Sequence, residues 1–240
     1  KENGYTLAYL GGASLRFGGK GNFYKTHQFD TVLGREELKS RLVDPENLSH
    51  WGLYDEDTLR LTFEKLNYLF TEGQPFAFFG LTLDTHPPKG YPSRQCSSYV
   101  YNSGEDSLLN SLHCSDALVS KLVEKIKHSD QFNNTYIIIG SDHLMLASSV
   151  SEQLISKSKR RNLFFIIPPN GNAKIVDRHA STLDLAPTIL GLTGSQITGL
   201  NLGKNLFLNE KTLVERSRKI DSDLRLWSAN LADFYDKPTH

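Results

Sequence analysis

Four short apolar runs, spaced by amphipathic stretches, constrain this 240-residue chain more than any other feature. They are TLAYL (6–10), FAFFGLTL (76–83), YIIIG (136–140) and LFFII (163–167). Uninterrupted runs of this kind suit strands buried on both faces, as in a parallel sheet covered by helices. Between them Asp55–Phe70 reads as a helix, with Leu59, Phe63, Leu66 and Phe70 along one face. Ser107–Lys127 reads as a second, with a stripe of Leu108, Leu112, Val119, Leu122, Val123 and Ile126. Thr182–Leu192 reads as a third; Pro187 limits how far upstream it begins, and the Gly191/Gly194 region stops it. The alternation predicts an α/β fold with a largely parallel central sheet flanked by helices.

Lys+Arg and Asp+Glu each number 27, so the net charge is +0. That balance argues against an electrostatic nucleic-acid binder, and no nucleic-acid partner is expected. No apolar run approaches the roughly 18–20 residues of a membrane helix, and no secretory leader is visible. Cys96 and Cys114 flank a loop. Their spacing is compatible with one disulfide, worth about 3 kcal/mol on loop entropy, or with two buried thiols. Long polar segments cover 84–104 and 144–160, and the basic run KSKRR (157–161) closes the second. Loops of that length are usually functional or disordered. The basic run reads as a solvated face or as a contact for anionic lipid headgroups. KENGYTLAYLGG reads as a helix end, a stop at Gly4 and a strand, so the chain is expected to open inside a fold. After Asn209 the chain turns charged and ends in the patch LRLWSANLADFY, an arm packed on the body or a lead into a missing region.

In open α/β sheets ligands bind beyond the carboxyl ends of the strands. TLAYL exits into GGASLRFGGKGNFY, FAFFGLTL into DTHPP, and YIIIG into SDHLM. If these strands are parallel, Lys20, Asp84, His86, Asp142 and His143 converge on one rim. Asp142 and His143 offer a carboxylate oxygen and an imidazole nitrogen, both ligands for Zn²⁺ or Mn²⁺. Two donors do not complete a site, and a capping Asp beside a loop His is the bland alternative. His86 precedes two prolines that stiffen its loop, which suits contact with an anion or a proton transfer. A His stacked on its neighbours is the other reading.

The glycine-rich block has five glycines from Gly11 to Gly21, with Arg16 and Lys20 adding positive charge. It can bring backbone amides close to phosphate oxygens, or it is simply a flexible turn. It has neither P-loop nor G-x-G-x-x-G spacing. Ser141, Asp142 and His143 cannot form a hydrolase relay, because consecutive residues cannot align three side chains. His27, His50, His113, His128 and His179 show no paired ligand spacing and read as structural or exposed.

The order of motifs carries more than any one of them. The glycine-rich block running into FYKTHQFD, then HWGLYDEDTL, LTLDTHPP, SDH and TLDLAPTILGLTG resembles the alkaline phosphatase/sulfatase superfamily. Within it the chain is similar to the phosphoglycerol transferases, which include lipoteichoic acid synthase and enzymes that decorate osmoregulated periplasmic glucans. The resemblance covers most of residues 4–227. It implies that residues 1–208 are a sulfatase-like catalytic domain lacking its N-terminal part, and that 209–240 are an arm or linker. It implies transfer of phosphoglycerol from phosphatidylglycerol, or from a phosphoglycerol-bearing glucan, to a periplasmic glucan.

On that resemblance Asp142 and His143 match the metal-binding pair, and a divalent metal, commonly Mn²⁺, is the expected cofactor. His86 matches the catalytic histidine that meets the substrate phosphate, with Lys20 and Arg16 as substrate-binding residues. A Trp and an Arg of lipoteichoic acid synthase become Gly18 and Lys20 here, losing a stacking wall and a guanidinium fork. The family's first metal carboxylate and its Thr or Ser nucleophile lie upstream of the glycine-rich block. Half a metal site, no nucleophile and no turnover by the chain alone are therefore expected. The compartment implied is the periplasmic face of the inner membrane or the soluble periplasm, with membrane proximity through missing segments, and a Cys96–Cys114 bridge would fit it. The alternatives are a phosphodiesterase- or sulfatase-type hydrolase of the same superfamily, and a non-catalytic binding domain.

Overall fold

A computed structural model describes residues 4–156, 160–169, 171, 175–217 and 219–235. The helix end expected before Gly4, and Lys157–Lys159 of the basic run, lie outside the described residues. The chain divides into two compact units, Lys1–Gly171 and Asn172–His240.

The first unit runs β1 (Thr6–Gly11), α1 (Lys20–Thr26), β2 (Thr31–Leu33), α2 (Arg35–Leu38), α3 (Asp55–Glu72) and β3 (Phe76–Leu81). It continues through α4 (Ser107–Lys127), β4 (Ile137–Gly140), α5 (Ser151–Ser156) and β5 (Phe164–Ile167). A parallel sheet in the order β2–β1–β3 is its centre. Ala8 pairs with Thr31 on one side and Phe78 on the other. Pleating sends Leu10 and Phe78 to one face, where they join Leu38, Leu42, Leu53 and Leu61. Each fully buried Leu there contributes about 2 kcal/mol of transfer free energy. Tyr9 faces the other way and stacks on Tyr24 at 4.1 Å; Tyr24 meets Phe29 at 4.8 Å and Phe29 meets Phe79 at 5.4 Å. Burial, with Tyr24 close by, raises the Tyr9 phenol to about 12.

Helix α3 starts on Asp55, Glu56 and Asp57, acids that suit the positive end of the helix dipole. It ends at Gly73, whose φ of 65° is left-handed. Its buried face is Thr58, Leu61, Thr62, Leu66 and Leu69, while Leu59, Phe63 and Phe70 of the expected stripe are only half-buried. The helix packs on β1, β3 and α4 together, which widens and turns its apolar face. Helix α4 has the expected bounds and is capped by Asp106, whose Oδ1 accepts from Leu108 N at 3.0 Å and Leu109 N at 3.1 Å. Its buried face is Leu108, Ser111, Cys114, Ser115, Leu118 and Ile126, and Leu112 is exposed. The Cys96–Cys114 disulfide (Cα–Cα 5.6 Å) and a bond from Ser115 to Asp55 turn that face inward. The disulfide decides the cysteine question and clips the 84–104 loop to α4.

Strands β4 and β5 correct one expectation, because they pair antiparallel, from Ile137↔Ile167 to Gly140↔Phe164. Parallel strands need a crossover connection, and here the chain between them doubles back through the short α5 instead. Ser141 lengthens the ladder, donating N–H to Leu163 O at 2.9 Å and accepting Leu163 N–H on Oγ at 2.8 Å. These strands are half covered rather than wholly buried, with Leu163 and Phe165 exposed.

The second unit carries α6 (Leu185–Leu192), β6 (Gly199–Leu200), β7 (Gly203–Lys204), α7 (Leu213–Arg216) and α8 (Ile220–Tyr235). A 3₁₀ turn, Thr182–Asp184, precedes α6 and starts where the third helix was expected. Buried Asp184 accepts N–H bonds from Ser181 at 2.8 Å and Lys204 at 2.7 Å, tying that turn to β7. Arg178 pairs with Glu215 at 2.6 Å and holds its carboxyl down to about 2. Among the described residues no helix is long and apolar enough to cross a membrane.

Candidate functional site at the strand exits

After β1 the chain turns on Gly18 and Gly19, whose φ values of 62° and 68° are left-handed, and enters α1 at Lys20. Arg16 is exposed on this turn. The Lys20 ammonium lies 5.2 Å from the Phe17 ring centroid. Burial lowers the Lys20 pKa, and the negative charge of Asp142 opposes that shift. The β1 exit and the β4 exit therefore bear on each other electrostatically, although β4 lies outside the parallel sheet.

His86 is half-buried in the loop after β3, and its ring lies 3.8 Å from that of Trp51. Its main chain is pinned by His86 N to Leu83 O at 2.9 Å and Gly90 N to His86 O at 3.1 Å. Nδ1 sits 2.8 Å from the Pro87 carbonyl. A carbonyl only accepts, so Nδ1 carries the proton and Nε2 is left free to meet a ligand. Trp51 also meets Phe17 edge-on at 5.9 Å, linking the glycine-rich turn to the histidine loop. The following Gly52 has φ 145°, and a side chain there would overlap the Gly12 carbonyl. Only glycine lets this hairpin, bridged Ala13 to Gly52, lie against the end of β1.

Asp142 and His143 are exposed, with side-chain exposures of 70% and 53%. His143 Nδ1 lies 2.9 Å from Leu144 O, so it too is the protonated nitrogen, and Nε2 faces Asp142 Oδ2 at 3.6 Å. Asp142 Oδ1 accepts the His143 N–H at 2.9 Å. Two donors held at about 2.0–2.2 Å from one ion can stand that far apart, so a carboxylate oxygen and a free Nε2 fit a divalent metal. Among the described residues no group of three or more His, Cys, Asp or Glu surrounds them, and the pair is a partial donor set.

Asp84 departs from the expected rim. It is 1% exposed, bonded through Oδ2 to the Ser93 hydroxyl, and Asp55, also buried at 0% exposure, acts on it electrostatically. Burial and the Asp55 charge raise its pKa to about 8. Sequence reasoning gave no role to Trp51 or Asp55. The HWGL block was the available signal for the first, but nothing in the residue order marks the second.

The sulfatase family profile matches residues 1–195. Among curated proteins the chain is similar to phosphoglycerol transferase I of Citrobacter koseri, 35% identical over 95% of this chain and 31% of that protein. It is also similar to phosphoglycerol transferase I of Xanthomonas campestris, 37% identical over 88% of this chain and 30% of that protein. The chain spans about a third of the length of these relatives, by those 31% and 30% shares. Among solved structures, a protein of the alkaline phosphatase superfamily from Vibrio parahaemolyticus superposes with TM-score 0.71 at 24% identity, over 90% of this chain and 51% of that one. The lipoteichoic acid synthase LtaP from Listeria monocytogenes gives TM-score 0.69 at 16% identity, over 85% and 54%. These likenesses show the α/β fold, with its parallel sheet and flanking helices, and with the profile match they identify this chain: it belongs to the sulfatase family.

Proposed function

We propose that this chain is part of the catalytic domain of a metal-dependent phosphoglycerol transferase. The reaction moves phosphoglycerol from phosphatidylglycerol, or from a glucan already bearing it, to a glucan hydroxyl. The observation that carries this reading is that the Asp142 charge bears on the Lys20 ammonium, so the β1 exit and the Asp142–His143 donors act on each other electrostatically. The names of the curated relatives support the same reading. Asp142 through a carboxylate oxygen and His143 through Nε2 would hold a divalent metal, Mn²⁺ in this proposal. When bound, that ion lowers the pKa of a hydroxyl nucleophile and offsets charge on the phosphoryl oxygens. Lys20, with Arg16 on the same turn, would bind the phosphate anion. His86, held by Trp51, would present Nε2 to a phosphate oxygen or move a proton there. The nucleophile would be a Thr or Ser that the motif order sets before the glycine-rich block. A periplasmic location suits a lipid donor and a glucan acceptor, and the Cys96–Cys114 disulfide favours an oxidising compartment.

The test is a glycerophosphoryl-transfer assay on a protein carrying this chain within the full length of its relatives. Phosphatidylglycerol and a short β-glucan are supplied, with Mn²⁺ or with chelator. Metal-dependent transfer to the sugar is expected, abolished by Asp142→Ala and lowered about 10²–10⁴-fold by His86→Ala. Release to water alone would make the protein a hydrolase. No reaction from a folded protein that binds no metal would leave a non-catalytic binding domain.

A further inference from the structure

The loop that carries His86 rests on two buried carboxyls that the proposed chemistry does not use. Asp55, at the start of α3, and Asp84, just beyond β3, are 0% and 1% exposed. Asp55 Oδ1 accepts the Leu83 N–H at 2.6 Å, and Oδ2 accepts the Ser115 hydroxyl from α4 at 2.7 Å. Asp84 Oδ2 accepts the Ser93 hydroxyl. Ser93 Oγ in turn accepts the Glu56 N–H at 3.1 Å, which commits its one proton to Asp84. The Asp84 carbonyl accepts the Tyr91 N–H at 2.7 Å. Leu83, Asp84, Tyr91 and Ser93 are thus all tied at the start of α3 or across the loop, with His86 between them.

The charge balance around this knot is one-sided. The charges acting most strongly on Asp84 are those of Asp55 and Glu56, both of its own sign. From the segment before α3, the Tyr54 phenol also feels Asp84. Helix α4 presents uncharged Ser115, and the loop presents uncharged Ser93. Arg94 bears on Tyr54 and pairs with Asp44. Asp84 Oδ1 is buried with no hydrogen-bond partner among the described residues. Two buried carboxylates whose charges act on each other cannot both ionise cheaply, and an ionised oxygen without a donor is the costliest atom to bury.

We propose that Asp84 keeps a proton in the folded protein, and that this carboxyl, set beside Asp55, is a positioning device: while the proton is held it locks the His86 loop to the start of α3, and its loss loosens the loop. Asp55 and Asp84 are positioning residues here, and the proposal stands whatever substrate His86 meets. It predicts a pH-dependent alignment of His86 whose midpoint belongs to Asp84 and not to the imidazole.

Carboxyl ¹³C NMR of the 240-residue chain tests it, read beside the amide signals of Gly90 and Tyr91 and the ring signals of His86. The expected result is one aspartate step well above the ordinary carboxyl range of about 4, with the loop signals moving at the same midpoint. Asp84→Asn should abolish that step and the linked movement, and Asp55→Asn, which removes a like charge, should lower its midpoint. Ser93→Ala removes a donor to the charged form and should raise the midpoint further. Stability carries the same sign. The raised folded pKa of Asp84 contributes stability that is full below its ordinary 3.8 and is lost as pH rises through about 8. The parent's Tm should therefore fall relative to that of Asp84→Asn across this window. Should both Asn variants fail to fold, the parent titration and Ser93→Ala decide. Both aspartates titrating near 4, or loop signals that ignore the aspartate step, would overturn the proposal.

Discussion

The loop after β3 and the loop after β4 each deliver a histidine to a strand exit, but the first is tied by buried side chains, while the second, among the described residues, is held by exposed ones such as Arg160 on the Met145 carbonyl. Under His86 lie Asp55, Asp84, Ser93 and Ser115, all buried, and the Cys96–Cys114 disulfide. Under His143 there is a hairpin end closed by Ser141 and Leu163, and the Asp142 and His143 side chains stay mostly in solvent. The contrast fits the two tasks proposed for these loops. A group that must meet a phosphate at a fixed angle gains from being held in advance. A pair of metal donors can wait to be drawn together, because the ion itself supplies the ordering energy.

Breaking the buried side should cost most. Asp55→Ala strands the Leu83 amide and the Ser115 hydroxyl, so a loss of about 2–5 kcal/mol is expected in denaturant unfolding. Replacing Cys96 and Cys114 by Ser should cost about 3 kcal/mol on the same measurement, since an 18-residue separation is no longer closed. A smaller effect would show that the loop is held by its polar contacts alone. Trp51→Ala removes the ring against His86 and should cost about 1 kcal/mol, while shifting the His86 ring resonances. On the exposed side, Asp142→Ala should change stability by less than about 0.5 kcal/mol. A large loss there would erase the contrast between the two loops.

The parts of this arrangement visible in the amino-acid order are those set by local pattern. Apolar runs marked β1, β3, β4 and β5, and helical spacing marked α3 and α4, because burial and periodicity are written residue by residue. The three-residue β2, Thr31–Leu33, is too short to leave such a pattern. The antiparallel turn of β5 depends on how a long polar connection folds back, which no local spacing encodes. Lys20, His86, Asp142 and His143 could be picked out because strand exits are where α/β sheets place ligands. Asp55 could not, since DEDTL reads as three acids suited to the exposed first turn of a helix. That Asp55, and with it Asp57, is buried is a property of the packing of α3 against its neighbours. Asp84 was grouped with the rim for the same reason: position along a strand does not say whether the side chain ends above the loop or below it.

The central claim is that the strand exits form one metal-and-phosphate site, and Mn²⁺ titration of the chain followed by NMR tests it most directly. His143 signals should broaden first, with Lys20 and His86 affected next, and Asp142→Ala should remove the effect without changing the fold. Broadening spread evenly over the surface, or sparing His143 altogether, would contradict the account.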